Sequence, residues 1–169
     1  MLLGVTGQLV SHACLEQCVG GKVGLGEARR PERRALERWR RGCATLGPAS
    51  SPRTLLEVGA EPLVRVLGFI PIARPDQRRE AVIVGLRGTF GTATLLVAPW
   101  GARLEPLWRQ AVVETRQRQA RWALLFNGTH LRLLDAGRTF VRRHLEFDLD
   151  LAVDDDRTFL ALWTTVGAD

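Results

Sequence analysis

The stretch RWALLFNGTHLRLLDAG, residues 121–137, decides how this chain is organised. An apolar run, Trp122–Phe126, meets Asn127-Gly128 and then a second run, His130–Leu134. Asn-Gly between two apolar runs signals a two-residue hairpin, because both residues tolerate positive φ. Asp135-Ala136-Gly137 supplies the next turn. Just upstream, Leu104, Leu107, Trp108, Ala111, Val112 and Thr115 recur with the spacing of one helical face, which predicts a helix over 103–118. Upstream again, TATLLVAPWG (92–101) closes a strand read as Thr89–Ala98. A strand, a helix and another strand make a crossover. Strand 122–126 is therefore expected to run parallel to a neighbour in the same sheet.

Working outward, Phe69–Ala73 and Ala81–Leu86 read as two further strands, with RPDQRR (74–79) and Arg87-Gly88 as turns. With Thr89–Ala98 they make an antiparallel meander. Before them, Ser50 or Ser51 caps a helix that Gly68 ends. Leu55, Leu56, Leu63, Val66 and Leu67 form its buried side, and Pro62 is placed to kink it. Pro31 opens an earlier helix with Leu36, Trp39 and Cys43 on one face. Residues 6–19 read as a short helix, from Thr6 as cap to Gly20-Gly21 as stop. GGKVGLGEARR (20–30) reads as a loop. No strand precedes its glycines and Val23 follows Lys22, so it is no phosphate-binding P-loop. Downstream, Phe140–Phe147 is expected as a strand with Arg142 and His144 on one face, and residues 155–165 as a helix. The organisation is an N-terminal helix and Gly-rich loop (1–30) ahead of one α/β (α+β) domain (31–169), a mixed sheet flanked by helices.

Composition narrows the function. No run of eighteen apolar residues spans a membrane, and the start MLLGVTGQLV lacks the basic and apolar regions of a signal peptide. The expectation is a cytoplasmic protein without a membrane partner. Of 24 Lys+Arg residues only Lys22 is lysine, and the net charge of +6 suits an acidic partner. Three cysteines, Cys14, Cys18 and Cys43, read as reduced thiols. Cys14 and Cys18 lie one helical turn apart and are taken as small apolar residues. With His12 they do not make a four-ligand zinc set, so no metal site is expected.

Three stretches carry a resemblance: CATLGPASSPRTLLEVGAEPLVRVLGF (43–69), WRQAVVETRQRQARWALLFNGTHLRLLDA (108–136) and RRHLEFDLDLAVDDDRTFLALW (142–163). In this order they resemble the restriction-endonuclease-like fold of PD-(D/E)XK nucleases. More narrowly, they resemble the N-terminal region of type IIG restriction–modification adenine methylases. The resemblance covers residues 31–165. It implies a nuclease-like domain ahead of a downstream methyltransferase domain, with DNA as partner.

That fold's chemistry would require a carboxylate at the start of the second strand and an acid-x-Lys pair on the third, holding Mg²⁺ and activating water. The corresponding positions here are Val97-Ala98-Pro99, which supply neither acid nor lysine. The resemblance thus implies a degenerate, non-catalytic module without cofactor that positions DNA or docks the methyltransferase. Two alternatives stand beside it. One is a scaffold that contacts only protein. The other is an active Mg²⁺ nuclease whose residues have migrated, with Asp76, Glu80 and Gln110 as candidates and Glu57, Glu61 and Glu114 nearby. For DNA contact the candidates are Arg33, Arg34, Arg38 and Arg41 in the arginine-rich segment 29–41, and Arg116 and Arg118, next to Arg121, on a second cluster.

Overall fold

The computed structural model describes residues 2–21, 29–78, 81–89, 91–137 and 143–168. Among them, eight strands form one sheet: β1 (Val5–Gly7), β2 (Ile70–Pro71), β3 (Asp76–Arg78), β4 (Ala81–Gly88), β5 (Gly91–Val97), β6 (Trp122–Phe126), β7 (His130–Asp135) and β8 (His144–Asp148). The spatial order is β1-β8-β7-β6-β5-β4-β2, with β3 following β2 along the same edge of β4. Every pairing is antiparallel except β5 with β6, which is parallel and in register from Ala93↔Trp122 to Val97↔Phe126. The helix crossover read from 103–118 is the cause of that parallel pair.

The meander is built as expected, with different ends. β4 and β5 extend past Arg87 to Gly88 and Gly91, so the turn falls later than Arg87-Gly88. The segment read as a turn at 74–79 is not one at Asp76–Arg78, which pairs with Ala81–Ile83. β4 is long enough to accept two short partners, and Pro75 only interrupts the edge. Arg79 and Glu80 lie outside the described residues, as do Phe140–Arg142 of the strand read as 140–147.

One further boundary is corrected. Residues 6–19 are not one helix. Val5–Gly7 pairs with Leu145–Phe147, and helix α1 runs only over His12–Gly20, with Ser11 Oγ accepting from the Cys14 N–H. Thr6 resembles a cap locally, but pairing to β8 decides its conformation. The helix read as 155–165 is present as α6 (Asp156–Val166), and a further helix not read from sequence, α5 (Leu149–Asp154), precedes it; the carboxylates of Asp148 and Asp155 cap α5 and α6.

Alternation along the strands sends side chains to two unequal cores. On one side, Val84, Leu95, Val97, Leu124, Phe126, Leu133 and Phe147 pack with α1, α2 (Arg30–Gly42), α3 (52–66), α5 and α6. On the other, Ile83, Leu96, Ala98, Ala123, Leu125 and Leu134 pack against Leu104, Trp108 and Ala111, where the 3₁₀ turn Glu105–Leu107 leads into α4 (Trp108–Gln117). This second layer is the thinner one. None of the helices is long and apolar enough to cross a membrane, among the described residues.

Helix α3 joins Pro52–Thr54, Leu55–Ala60 and Glu61–Val66, and its middle turn is a π-helix. Pro62 explains the widening, because it has no N–H to give the Val58 carbonyl. The Glu61 N–H bonds Leu56 O, five residues back. The Cys43 thiol, at the C-cap of α2, donates to the Val58 carbonyl at 3.8 Å, and Trp39 Nε1 of α2 donates to the neighbouring Gly59 O at 2.7 Å. Burial pushes the Cys43 thiol pKa up, which keeps that donor protonated. Gly59 itself must be small, since a Cβ there would lie 3.1 Å from Leu46 and from the Phe126 ring.

Thr94 on β5 and Thr115 on α4 are fully buried, and neither hydroxyl has a hydrogen-bond partner among the described residues. An unpaired buried hydroxyl is a net cost. Thr94→Val and Thr115→Val are therefore each expected to leave stability unchanged or to raise it by up to about 1 kcal/mol. Urea unfolding checks this, and a clear loss of stability in either variant would show that the hydroxyl is paired in solution.

Candidate nucleic-acid interface

Helix α2 is amphipathic in an unusual way, with a narrow buried face of Leu36 and Trp39 and arginine over most of the rest. Docking through Trp39 fixes which arginines face water. Arg34, Arg38 and Arg41 recur at i, i+4 and i+7 on the outer face, a row of about 10 Å at 1.5 Å per residue. All three are exposed, and none has a hydrogen bond or ion pair among the described residues.

Arg33 is different. It turns toward α5–α6, where it donates to Val153 O at 3.2 Å and Asp154 O at 3.3 Å. It also pairs with Asp156 and with Glu37. Arg40, which the sequence reading did not single out, pairs with Asp150 at 2.5 Å and donates to Gly128 O at 3.2 Å. Arg33 and Arg40 thus hold α2 to the acidic segment 148–156. Arg29 lies over the Trp163 ring, 5.2 Å from its centroid. The signal for this sorting was in the sequence: DLDLAVDDD (148–156) is the only acidic run able to absorb a share of the arginines.

The second cluster divides in the same way. Arg116 is exposed and has no partner among the described residues. Arg118 is half-buried and spans two carboxylates, Glu114 at 2.5 Å and Asp76 at 3.2 Å. Arg78 closes the set, 2.9 Å from Asp76 and 3.4 Å from Glu114. Gln110 lies one turn before Glu114 and lines a shallow hollow with Arg78 and Arg109. The fold therefore does bring Asp76, Glu114 and Gln110 into one neighbourhood. There each carboxylate is already matched by guanidinium, two acids against two arginines. Glu57 is held by Arg53 on exposed helix surface, 2.9 Å away, and Glu80 lies outside the described residues.

At the carboxyl ends of β5 and β6, Val97 and Ala98 are wholly buried. The edge beyond them is shaped by Asn127, whose Oδ1 accepts from Thr129 N, Thr129 Oγ1 and His130 N. The turn is thus a side-chain-closed loop rather than the two-residue Asn-Gly turn read from sequence. Gly128 sits at φ +90° under the Trp100 ring, where any Cβ would clash. Next to it Arg132, 4% exposed, is sandwiched by Glu146 at 2.6 Å and Glu105 at 2.7 Å. The Arg132 hydrogen bond holds Glu105 below the usual carboxylate range. None of these groups converges on an open point where an ion could sit. No set of three His, Cys, Asp or Glu side chains fit for a metal occurs among the described residues. Cys14 and Cys18 are exposed on α1, which corrects their reading as buried apolar residues. Helix α1 docks through Leu15 and Val19, which leaves both thiols on its exposed side.

Compared with known proteins, the chain matches no family model, no curated protein and no solved structure.

The division of labour on α2 is measurable. Arg33→Gln is expected to lower unfolding free energy by about 1–3 kcal/mol, because two carbonyls and a carboxylate lose their donor. Arg34→Gln should stay within about 0.5 kcal/mol of wild type, as an unpartnered surface change does. Equal losses in the two variants, measured by urea titration, would contradict the assignment.

Proposed function

We propose that this chain is a non-catalytic, nuclease-like module of a bacterial restriction–modification DNA methylase, one that holds DNA by its backbone and so positions it for a downstream methyltransferase domain. The observation that carries the reading is the row of Arg34, Arg38 and Arg41, exposed and unpartnered on a helix whose other arginines are all spoken for or turned inward. Arginines with free donors recognise phosphate bidentately. The element order, three meander strands, a helix crossover and a parallel fourth strand, is compatible with the restriction-endonuclease-like resemblance. The non-catalytic part of the reading is supported by the buried apolar side chains Val97 and Ala98 and by the arginine-matched state of Asp76 and Glu114.

A backbone contact of this kind is indifferent to base sequence and releases counterions. Three phosphate contacts imply a slope of log K against log salt of about −2.7, from −0.9 per phosphate. Fluorescence anisotropy of a labelled duplex across a salt series reads that slope directly. The triple variant Arg34→Ser, Arg38→Ser, Arg41→Ser should flatten it to near zero while its circular dichroism stays that of wild type. Equal binding by both proteins, or no binding by wild type at about 50 mM salt, would leave the protein-only scaffold as the better account. With Mg²⁺ or Mn²⁺ the same preparation is expected to leave supercoiled plasmid intact. Metal-dependent nicking abolished by Asp76→Ala would instead support the migrated nuclease.

A further inference from the structure

At the other end of the sheet from Gly128, where β5 and β6 begin, lie two adjoining cavities of about 540 Å³ and 410 Å³. They share a wall of Arg121, Trp122, Leu133 and Thr165. The floor is apolar, with Leu124, Leu133 and Val166 beneath the half-buried Trp122. Volumes of this order hold a drug-sized ligand.

Among the described residues, the charges around the opening that lack a counter-ion are positive. Arg121 lies over Trp122, its guanidinium carbon 5.0 Å from the ring centroid. Asp135 fixes its orientation, with Nε–Oδ1 at 3.3 Å and Nη2–Oδ2 at 3.0 Å. The Arg121 side chain is still 62% exposed. One face of a flat, rigidly held cation therefore stays open, which suits stacking by a π-system. No acidic side chain among the described residues lines the larger cavity. The smaller one contains only Asp135, already engaged, together with the exposed Arg143. A third hollow beside them joins Arg121 to Arg116. Neither Arg116 nor Arg143 has a partner among the described residues. A ligand that answers all of this has a flat aromatic body and a negative charge at one end.

We infer that this cavity binds a nucleotide, with the base against Trp122 and Arg121 and the phosphate at the rim where Arg121 and Arg143 line the smaller cavity. The same chemistry could be presented by a free nucleotide or by the end of a single DNA strand. The site is remote from the α2 row and does not depend on the function proposed for that helix.

Isothermal titration of the full chain separates these cases. The probes are AMP, adenosine, pyrophosphate, and 5′-phosphorylated single-stranded oligothymidine. AMP is expected to bind saturably, with adenosine and pyrophosphate each at least about tenfold weaker, since stacking and charge both contribute. Arg143→Gln, at an exposed position, should weaken AMP about tenfold without changing the melting temperature. Trp122→Leu should abolish binding. Displacement of AMP by the oligonucleotide would identify a strand end as the ligand, and its failure to compete a free nucleotide; both outcomes support the site. The inference is overturned by no saturable binding of either AMP or the oligonucleotide, by adenosine binding as well as AMP, or by an Arg143→Gln variant that binds AMP like wild type.

Discussion

The hydrogen bond from Trp39 Nε1 to the Gly59 carbonyl is the contact on which the helical side of this protein depends. Its acceptor lies in the π-turn that precedes Pro62 in α3. Trp39 and Leu36 are the buried residues of α2. Gly59, held by the same bond, lets Phe126 of β6 approach the helix backbone. One indole thus ties α2 to α3, and α3 in turn to the sheet. The rotation of α2 about its axis follows, and with it the division between arginines that face water and those that reach α5 and α6.

Much of the fold was legible, and for identifiable reasons. The 3.6-residue period of Leu104, Trp108 and Ala111 and the apolar runs of β4 to β7 are strong, local signals, and they produced the meander, the crossover and the parallel pair. What failed was decided at a distance. Thr6 looks like a helix cap until Val5–Gly7 meets β8, about 140 residues away by the register Val5↔Phe147. Asp76–Arg78 has turn composition, yet the unpaired edge of β4 draws it into the sheet. The candidate site was less legible than the fold. Arginine content is plain in the sequence, but Arg33 and Arg34 are neighbours with opposite fates, and only tertiary docking tells them apart.

The acidic segment 148–156 completes that sorting. Asp148 and Asp155 cap helices, while Asp150 and Asp156 take Arg40 and Arg33. The local positive potential is reduced where α2 touches the body of the protein and preserved where it does not. A similar economy operates at Asp76, Glu114, Arg78 and Arg118, where a compact group of charges is internally neutral. In both places the carboxylates serve structure, and the cations left over define the surface that a polyanion would meet.

The single parallel register has a kinetic meaning. Strands β2 to β5 are joined by short connections, and so are β6 and β7, so each half can form from local contacts. The seam between β5 and β6 cannot close until α4 has crossed over it. That seam is also where the thinner core lies and where, among the described residues, Thr94 and Thr115 are left without partners. As the one parallel pairing in the described sheet, it cannot be formed by a hairpin or other short local connection, and its closure waits on the docking of α4.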